Sequence, residues 1–189
     1  MTVPARLAHI FYMTRRYEAM IQWYRTVFKA EPVHADPALT FLAFDEENHR
    51  FAIANLDILR PDGDGRPGDI GVNHVAFTFH RGGDLLETYA RLKAAGIEPY
   101  WPVHHGMTLS LYYQDPDGNR IELQADALSP EAAVAFLASP IFAANPIGVR
   151  YDPDRLLAEH RAGAAEATLL RLPEGPPSAV PVEHALTAD

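Results

Sequence analysis

Two stretches of the chain carry the same order of apolar and polar positions. Residues 7–14, LAHIFYMT, form a short apolar and aromatic run with one histidine, and in residues 17–28 the apolar positions recur every three or four residues. The first pattern is typical of a strand and the second of an amphipathic helix. Residues 72–79, VNHVAFTF, repeat the strand with its histidine in the same place, and residues 82–96 repeat the helix and end on a capping glycine.

The likeness continues after each helix. The tetrapeptides AEPV and IEPY occupy matching places, and each is followed by a strand pattern, a turn and a last strand, which is HRFAIAN in the first half and NRIELQ in the second. Each half therefore predicts a βαβββ module, and a repeat of about 60 residues indicates internal duplication. We expect module one over residues 1–59 and module two over residues 70–126, joined by a Pro, Gly and Asp linker over residues 60–69.

The repeat stops after module two. Two helix patterns follow, the second with an Asp-Pro start and a Gly stop, and they predict a helical extension over residues 127–172. The apolar content of this extension is expected either to wall a pocket or to contact a second copy of the chain. Residues 173–189 are Pro-rich and are expected to form a flexible tail. The fold class is therefore α+β, with two repeated modules and a C-terminal helical extension.

Composition narrows the chemistry that the fold can support. The 189-residue chain has a formal net charge of -9 and no basic cluster, which argues against a nucleic-acid partner. It has no cysteine, so a metal must be bound by His, Asp or Glu, and nine histidines make such a site feasible. The chain shows neither a signal-peptide pattern nor a long apolar run, which predicts a cytoplasmic protein with no membrane partner.

Three polar residues occupy repeat-related strand positions. His9 and His74 hold the same place in the first strand of each module, and Glu122 lies on the last strand of module two, where module one has Ala52. Pairing of the modules about a pseudo-twofold axis brings the three side chains onto one concave sheet. A single histidine or glutamate in a strand is more often structural. The repeat-related positions of all three residues are what indicates a shared site. Two imidazoles and one carboxylate form the set used by non-heme Fe(II) oxygenases, and the alanine leaves a fourth position open.

The motifs HIFYMT, NHVAF and above all SLYYQDPDGNRIELQ resemble the vicinal oxygen chelate superfamily. Within that superfamily the chain is similar to one-domain type I extradiol dioxygenases of the catechol and biphenyl-2,3-diol types. The resemblance implies that the two modules form an open, mostly antiparallel barrel around Fe(II), or less often Mn(II), held by His9, His74 and Glu122. It also implies cleavage of a catechol-type ring, including 2,3-dihydroxybiphenyl-like substrates, by O2.

Further site residues are implied by the same resemblance. Tyr112 matches a tyrosine that hydrogen-bonds the bound catechol oxygen, and His49 matches a histidine next to the metal ligands. The HHG segment resembles a His-Gly that supplies another active-site histidine, with His105 preferred over His104 because the glycine follows it directly. The implied partners are a small aromatic diol and O2, and a homo-oligomer, either a dimer or larger, is expected.

Two other classes of function keep the same fold. A metal-dependent glyoxalase or epimerase polarises a carbonyl and resembles this layout with four protein ligands, so Ala52 argues against it. A metal-free protein that binds small molecules needs no ligand triad at all. Metal content and oxygen consumption separate these classes from a dioxygenase.

Overall fold

The computed structural model describes residues 3–62, 70–114, 118 and 120–186. Residues 63–69 of the predicted linker and residues 115–117 and 119 of the predicted DPDGN turn lie outside the described residues. The strands of the described chain are β1 Arg6–Thr14, β2 Glu31–Ala35, β3 Leu39–Ala43, β4 Phe51–Asn55, β5 Gly71–Phe79, β6 Trp101–His104, β7 Thr108–Gln114, β8 Arg120–Asp126 and β9 Val149–Arg150. The helices are α1 Tyr17–Phe28, α2 Leu56–Leu59, α3 Gly82–Ala94, α4 Pro130–Leu137, α5 Pro140–Ala144, α6 Pro153–Arg161 and α7 Glu166–Leu169.

The strands form one open mixed sheet in the order β2-β3-β4-β1-β5-β8-β7-β6-β9. The central pair, β1 and β5, is antiparallel, whereas β1 pairs with β4 and β5 pairs with β8 in parallel. The remaining neighbours are antiparallel. The expected α+β fold, with two βαβββ modules in an open and mostly antiparallel arrangement, is confirmed.

The strand register relates the two modules residue by residue. Ile10 pairs with Val75 across the β1–β5 junction, and these two residues directly follow His9 and His74 in the repeat. A pseudo-twofold axis that relates the modules therefore passes close to this pair. The parallel pairings agree, because Ala52 lies opposite Phe11 in module one and Glu122 lies opposite Ala76 in module two. The alignment of Glu122 with Ala52 is thus confirmed.

Residues that alternate along the strands of module one divide between two apolar layers. Leu42, Phe51 and Ile53 share a core with Tyr17 and Tyr24 of α1, so this helix covers the outer face. The neighbours in sequence must point to the other side, since successive strand residues face opposite directions. That opposite side is the inner face, which also carries His9.

The inner face of module one is filled by the helical extension. Phe41 and Ala54 share a core with Ala133 and Leu137 of α4 and Phe142 of α5. Apolar burial of this kind stabilises by about 25 cal/mol per Å², so the extension is part of the domain core. The helical extension therefore packs against its own chain.

Module two keeps its helices on the outer face. Helix α3 contacts α6 and α7, and Leu86 and Tyr89 of α3 share a core with Leu111, Leu157 and Leu169. The inner face of module two is therefore left to polar and aromatic side chains. The candidate site lies between the two modules, and residues of both line it.

Several elements were not expected from the sequence, among them α2 and β9. Helix α2 follows β4 and is capped by the Asn55 side chain, which accepts a hydrogen bond from the Asp57 amide at 3.1 Å. Strand β9 adds to the edge of β6, with Val149 opposite His104. Gly148 precedes it with φ +98, and a Cβ there would meet the His104 carbonyl, so the close approach of the two chain segments requires glycine. No helix in the described part of the chain is long and apolar enough to cross a bilayer.

Candidate metal centre and pocket

Strands β1, β5 and β8 bring three side chains to one point on the inner face. The Nε2 atoms of His9 and His74 lie 3.2 Å apart, and each lies 3.2 Å from Oε2 of Glu122. All three residues are buried, and their donor atoms form a nearly equilateral triangle. The residues come from distant parts of the sequence, and the register described above is what joins them.

The size of this triangle suits a first-row divalent ion. Nitrogen and oxygen ligands lie about 2.1 Å from such ions, so edges of about 3.0 Å correspond to right angles at the metal and about 3.4 Å to tetrahedral angles. The observed edges of 3.2 Å lie between these values. A three-ligand face of this kind leaves the opposite side of the ion open to other ligands. His9, His74 and Glu122 can therefore hold a metal ion.

The hydrogen bond from Nδ1 of His74 leaves an unfavourable contact between Nε2 of His74 and Glu122, which a bound cation relieves. Its Nδ1 donates to Oδ1 of Asn73 at 2.8 Å, so the neutral ring carries its lone pair on Nε2. Burial lowers the pKa of His74, which favours this neutral form. The lone pair then faces a carboxylate oxygen of Glu122, and a bound cation turns that contact from repulsion into shared ligation. The residues present fit a metal ion.

The buried Glu122 carboxylate has one oxygen that lacks a hydrogen-bond partner among the described residues. Burial alone raises the pKa of Glu122, whereas His74 and His9 lower it well below the usual range when their rings carry a proton. A bound cation supplies the same positive charge while the rings stay neutral. Oε2 is buried and has no partner of hydrogen-bond geometry among the described residues. A buried carboxylate without compensation costs several kcal/mol of stability. A metal ion is the natural partner for this atom.

The ring of His49 lies next to that of His9, one of the three residues of the triangle. Its ring stacks on Phe41 with the centroids 4.5 Å apart, and its centroid lies 4.4 Å from that of His9. Nδ1 of His49 donates to Oδ1 of Asn48 at 2.6 Å, which leaves Nε2 as the free acceptor. Burial and the neighbouring His9 lower the pKa of His49 well below its usual value. His49 is therefore neutral and fixed in one orientation beside the candidate metal ligands.

Tyr112 and His105 form a hydrogen-bonded pair at the same pocket. Nδ1 of His105 donates to the Ile147 carbonyl at 2.7 Å, so its Nε2 accepts the hydroxyl proton of Tyr112 at 3.0 Å. Burial lowers the pKa of His105 and raises the pKa of Tyr112 well above 10. A neutral base and a protonated phenol thus lie together on the inner face. Gly106 allows the turn after His105, because its φ is +89 and a Cβ would collide with the Phe136 ring.

His104 points away from this pair. Its Nε2 donates to the Leu170 carbonyl at 3.0 Å, and its Nδ1 accepts from the Gly106 amide at 3.0 Å. It lines a separate, more polar cavity of about 500 Å³ together with Arg150 and Arg171. Burial lowers the pKa of His104 to about 4. Of the two candidates in the HHG segment, the structure brings His105 to the triad and gives His104 a bond to the C-terminal extension.

One pocket contains all of these groups except His104. It has a volume of about 110 Å³ and an apolar wall that includes Phe11, Phe41, Trp101 and Ile147. His9, His49, His74, His105, Tyr112 and Glu122 line it as well. Helix α4 contributes no lining residue among those described; the loop after α5 and the end of the tail do so instead. A largely apolar pocket with a few convergent polar groups is the usual form of a small-molecule site.

Two asparagines in the site were not singled out by the sequence interpretation. Asn48 and Asn73 each precede a histidine of the pocket, and each uses its side-chain carbonyl to fix Nδ1 of that histidine. Partners of this kind set the tautomer and direction of a metal-ligating histidine. The sequence does contain a sign of this arrangement, because an asparagine directly precedes each of the two histidines, in NHRF and in NHVA.

These features define a class of protein, and the comparisons agree with it. A model of the Glyoxalase/Bleomycin resistance protein/Dioxygenase superfamily matches residues 6–123. The chain belongs to this superfamily, as its motifs indicated.

Two relatives from Rhodococcus globerulus are similar over most of their length. Biphenyl-2,3-diol 1,2-dioxygenase 2 is 47% identical over 155 residues, which cover 81% of this chain and 80% of the relative. Biphenyl-2,3-diol 1,2-dioxygenase 3 is 42% identical over 174 residues, which cover 89% of each protein. Both names describe enzymes that act on an aromatic diol.

Solved structures share the fold over a shorter span. A Mn(II)-bound glyoxalase from Novosphingobium aromaticivorans matches with a TM-score of 0.55 and 25% identity, over 66% of this chain and 38% of that one. An extradiol ring-cleaving dioxygenase from Brevibacterium fuscum matches with a TM-score of 0.51 and 21% identity, over 65% of this chain and 34% of that one. The chain therefore spans little more than a third of these proteins, and the likeness to the second concerns the fold alone.

Proposed function

We propose that the protein is an extradiol ring-cleaving dioxygenase that opens a catechol-type diol with O2 at an Fe(II) ion held by His9, His74 and Glu122. The observation that carries the proposal is the three-ligand triangle with an alanine, Ala52, at the repeat position of its only carboxylate. The names of the two Rhodococcus relatives support the same reaction. A reaction of this class needs open positions for both a diol and O2, and three protein ligands leave them.

His105 is suited to take a proton from the entering diol. Its Nδ1 is occupied by the Ile147 carbonyl, so Nε2 is the basic atom, and burial keeps the ring neutral by lowering its pKa. In the absence of a diol this base accepts from Tyr112. The same phenol can turn its hydroxyl to a diol oxygen and orient it, because burial raises its pKa and keeps it protonated. The pair thus exchanges an internal hydrogen bond for bonds to the substrate.

His49 is suited to the second proton transfer. Its Nδ1 is fixed by Asn48, so Nε2 is the free atom of a ring that stacks on Phe41 and lies tilted against His9. A neutral imidazole in this place can receive and return a proton while the ring opens. The overall reaction breaks one ring carbon–carbon bond beside the diol and places both atoms of O2 in the product.

The metal ion supplies a common site where the diol and O2 meet and exchange electrons. The ligand set of two imidazoles and one carboxylate is the one that non-heme Fe(II) oxygenases use, and Fe(II) is the metal that we propose. Mn(II) has similar ligand preferences and is the second choice. The location in the cytoplasm and assembly into a dimer or larger oligomer stay predictions.

Oxygen uptake tests the proposal directly. Protein purified without oxygen and loaded with Fe(II) is mixed with catechol or 2,3-dihydroxybiphenyl, while dissolved O2 and the yellow ring-opened product are recorded. We expect stoichiometric O2 consumption, and loss of both signals in His74→Ala. His80→Ala changes an exposed histidine on the same module and serves as the control. The proposal would be wrong if no diol in a broad catechol panel caused O2 uptake or formed a yellow product.

A metal-dependent glyoxalase or epimerase is the second candidate. The likeness to the Mn(II)-bound glyoxalase favours it, whereas Ala52 at the fourth place disfavours a four-ligand Lewis-acid site. The two functions differ in their need for oxygen. Turnover of an α-keto or epimerisable substrate without O2 uptake would establish this alternative and exclude the dioxygenase.

A further inference from the structure

The C-terminal tail, residues 173–186, reaches the pocket, although none of the roles proposed above needs it. The Ser178 amide donates to the Gly148 carbonyl at 2.8 Å, and its hydroxyl accepts from Nε1 of Trp101 at 2.9 Å. These bonds tie the tail to the β6–β9 edge of the sheet. The composition predicts a flexible tail; the structure shows that this part of it has partners in the domain.

A single turn of the tail directs one histidine inward. Val182–His184 form a short 3₁₀ helix, closed by a bond from the His184 amide to the Pro181 carbonyl at 2.9 Å. Val182 is 63% exposed, whereas His184 is only 2% exposed. The turn is also held from outside the tail, because Nδ2 of Asn73 donates to the His184 carbonyl at 2.9 Å. Backbone bonds therefore hold the turn in place without using the imidazole of His184.

The His184 ring lies on the side of the pocket that module two forms. Its centroid is 4.7 Å from that of Trp101, 4.9 Å from that of Tyr112 and 5.5 Å from that of His74. The His49 ring, by contrast, packs against module one. His184 therefore accompanies Tyr112, the group proposed to orient the diol, rather than His49.

One hydrogen bond sets the tautomer of His184. Its Nδ1 lies 3.1 Å from the Tyr100 hydroxyl, which has no other hydrogen-bond partner in the described part of the chain. Burial raises the pKa of Tyr100, which keeps the phenol protonated, and lowers the pKa of His184 to about 2, which keeps the imidazole neutral. Since the phenol has a proton to donate and Nδ1 is the acceptor within reach, Nδ1 carries the lone pair. The proton of the ring is then on Nε2.

Nε2 of His184 is a donor that no protein group uses. Among the described residues nothing accepts a hydrogen bond from it, and it is not one of the polar atoms that are sealed inside the protein without a partner. Because His184 lines the pocket, this N–H opens into the same space as Tyr112. The neighbouring Trp101 gives its own N–H to Ser178. A donor in a largely apolar pocket is unfavourable until a ligand accepts a hydrogen bond from it.

We propose that His184 is a further substrate-binding residue, whose Nε2–H donates a hydrogen bond to an oxygen of the bound diol on the side of Tyr112. The inference rests on the proposed function, since it takes a metal-bound diol as the ligand. The two oxygens are the conventional acceptors of catechol, and a metal ion favours their deprotonated form. Such an oxygen gains most from a donor, because hydrogen bonds to charged groups are roughly twice as strong as neutral ones.

Two substitutions separate the donor from the ring. His184→Phe retains an aromatic ring against Trp101 and Tyr112 but has no donor, whereas His184→Gln retains a side-chain N–H of similar reach but loses the ring. Metal-loaded protein is titrated anaerobically with catechol, and the Kd values are compared. We expect the Kd of His184→Phe to rise by about tenfold or more and that of His184→Gln to remain close to the wild-type value. Val182→Ala, on the exposed side of the same turn, is the matched control, and metal content should be unchanged throughout.

Other patterns would overturn the inference. A wild-type Kd in His184→Phe would show that the donor is not needed, and an equal rise in both His184 variants would assign the effect to packing of the ring. If His184→Phe does not fold, Tyr100→Phe provides the test, because it removes the hydroxyl that fixes the tautomer. The Kd for catechol should then rise severalfold, and a wild-type value would contradict the role of the fixed donor.

Failure of the proposed function has a different signature. Wild-type protein that binds catechol but consumes no O2 would overturn the proposed function and leave the role of His184 in binding intact. Wild-type protein that does not bind catechol would overturn both.

Discussion

The two modules share one backbone plan but differ in what their inner faces carry. In module two the inner face presents His74, Tyr112 and Glu122 to the pocket. In module one the equivalent of the glutamate is Ala52, and the face beside it is covered by the apolar helices α4 and α5. Module one therefore contributes a wall, one ligand, His9, and the neighbouring His49, whereas module two contributes most of the polar groups.

This difference shows that a duplicated fold can hold an asymmetric site. The strand register places Ala52 and Glu122 at equivalent points, so the backbone makes a carboxylate equally feasible in either module. Only the side chains decide that one is present. Function therefore lies in the residues that the repeat does not share, in agreement with the general independence of fold and activity.

The largest effect is expected when the carboxylate of module two is removed. Glu122→Gln retains the shape of the side chain but removes its charge, so the triangle loses its anionic ligand. Metal affinity should fall by more than about 100-fold, beyond the range seen when an outer-shell partner is lost. Metal analysis after gel filtration measures this loss. Glu98→Gln, at an exposed position of the same module, should retain full metal content, and equal retention by Glu122→Gln would remove the residue from the ligand set.

The next prediction makes the two modules alike. Ala52→Glu places a second carboxylate at the repeat position, where it can reach the same metal ion. Chelator competition should show tighter metal binding, while O2 uptake with a diol falls by on the order of 100-fold because an open position is filled. Ala52→Leu adds similar bulk without a ligand and should not tighten metal binding. Equal metal affinity in the two variants would contradict the register-based equivalence of Ala52 and Glu122.

Two adjacent tyrosines sharpen the comparison between the faces of one strand. Tyr112 points to the pocket and bonds His105, whereas Tyr113 belongs to the outer core and its buried hydroxyl has no partner among the described residues. Tyr112→Phe should lower kcat/KM for a diol by about 100-fold. Tyr113→Phe should leave kcat/KM unchanged and leave the free energy of unfolding equal or raise it by about 1 kcal/mol, since an unsatisfied group is removed. Similar kinetics in both variants would argue against a role for the phenol of Tyr112.

The smallest predicted effect concerns stability alone. The pKa of His104 is lowered from 6.5 to about 4 by burial, so between these pH values the unfolded chain binds the proton that the folded chain excludes. Stability should therefore fall as the pH drops from 6.5 to 4, with a contribution from His104 on the order of 3 kcal/mol. Urea unfolding of metal-free protein at several pH values should show a smaller pH dependence in His104→Gln than in His80→Gln. An equal dependence in the two variants would contradict the burial argument.

Much of the fold could be predicted from the sequence because the chain contains an internal repeat, so that its two halves can be compared position by position. The repeat alone aligns His9 with His74 and Ala52 with Glu122, and the strand register matches that alignment. The triad became visible for the same reason, since a single His or Glu in a strand carries little information by itself.

Other features depend on contacts that no local pattern records. His104 and His105 are neighbours at the end of β6, and only the turn at Gly106 and the bonds to Leu170 and Ile147 separate their roles. His184 lies in a Pro-rich segment without periodicity, so its burial depends entirely on tertiary contacts. Strand β9 contains two residues and forms only because the β6 edge is available to pair with it.

The most direct test of the account is the position of a metal ion with a diol bound. Crystals of the Fe(II)-loaded protein with catechol, grown without oxygen, would yield an anomalous difference map at the iron edge. We expect one peak about 2.1 Å from Nε2 of His9, Nε2 of His74 and Oε2 of Glu122, with both diol oxygens on its open side and no protein ligand near Ala52. A peak outside this triangle, or a fourth protein ligand that closes the site, would contradict it.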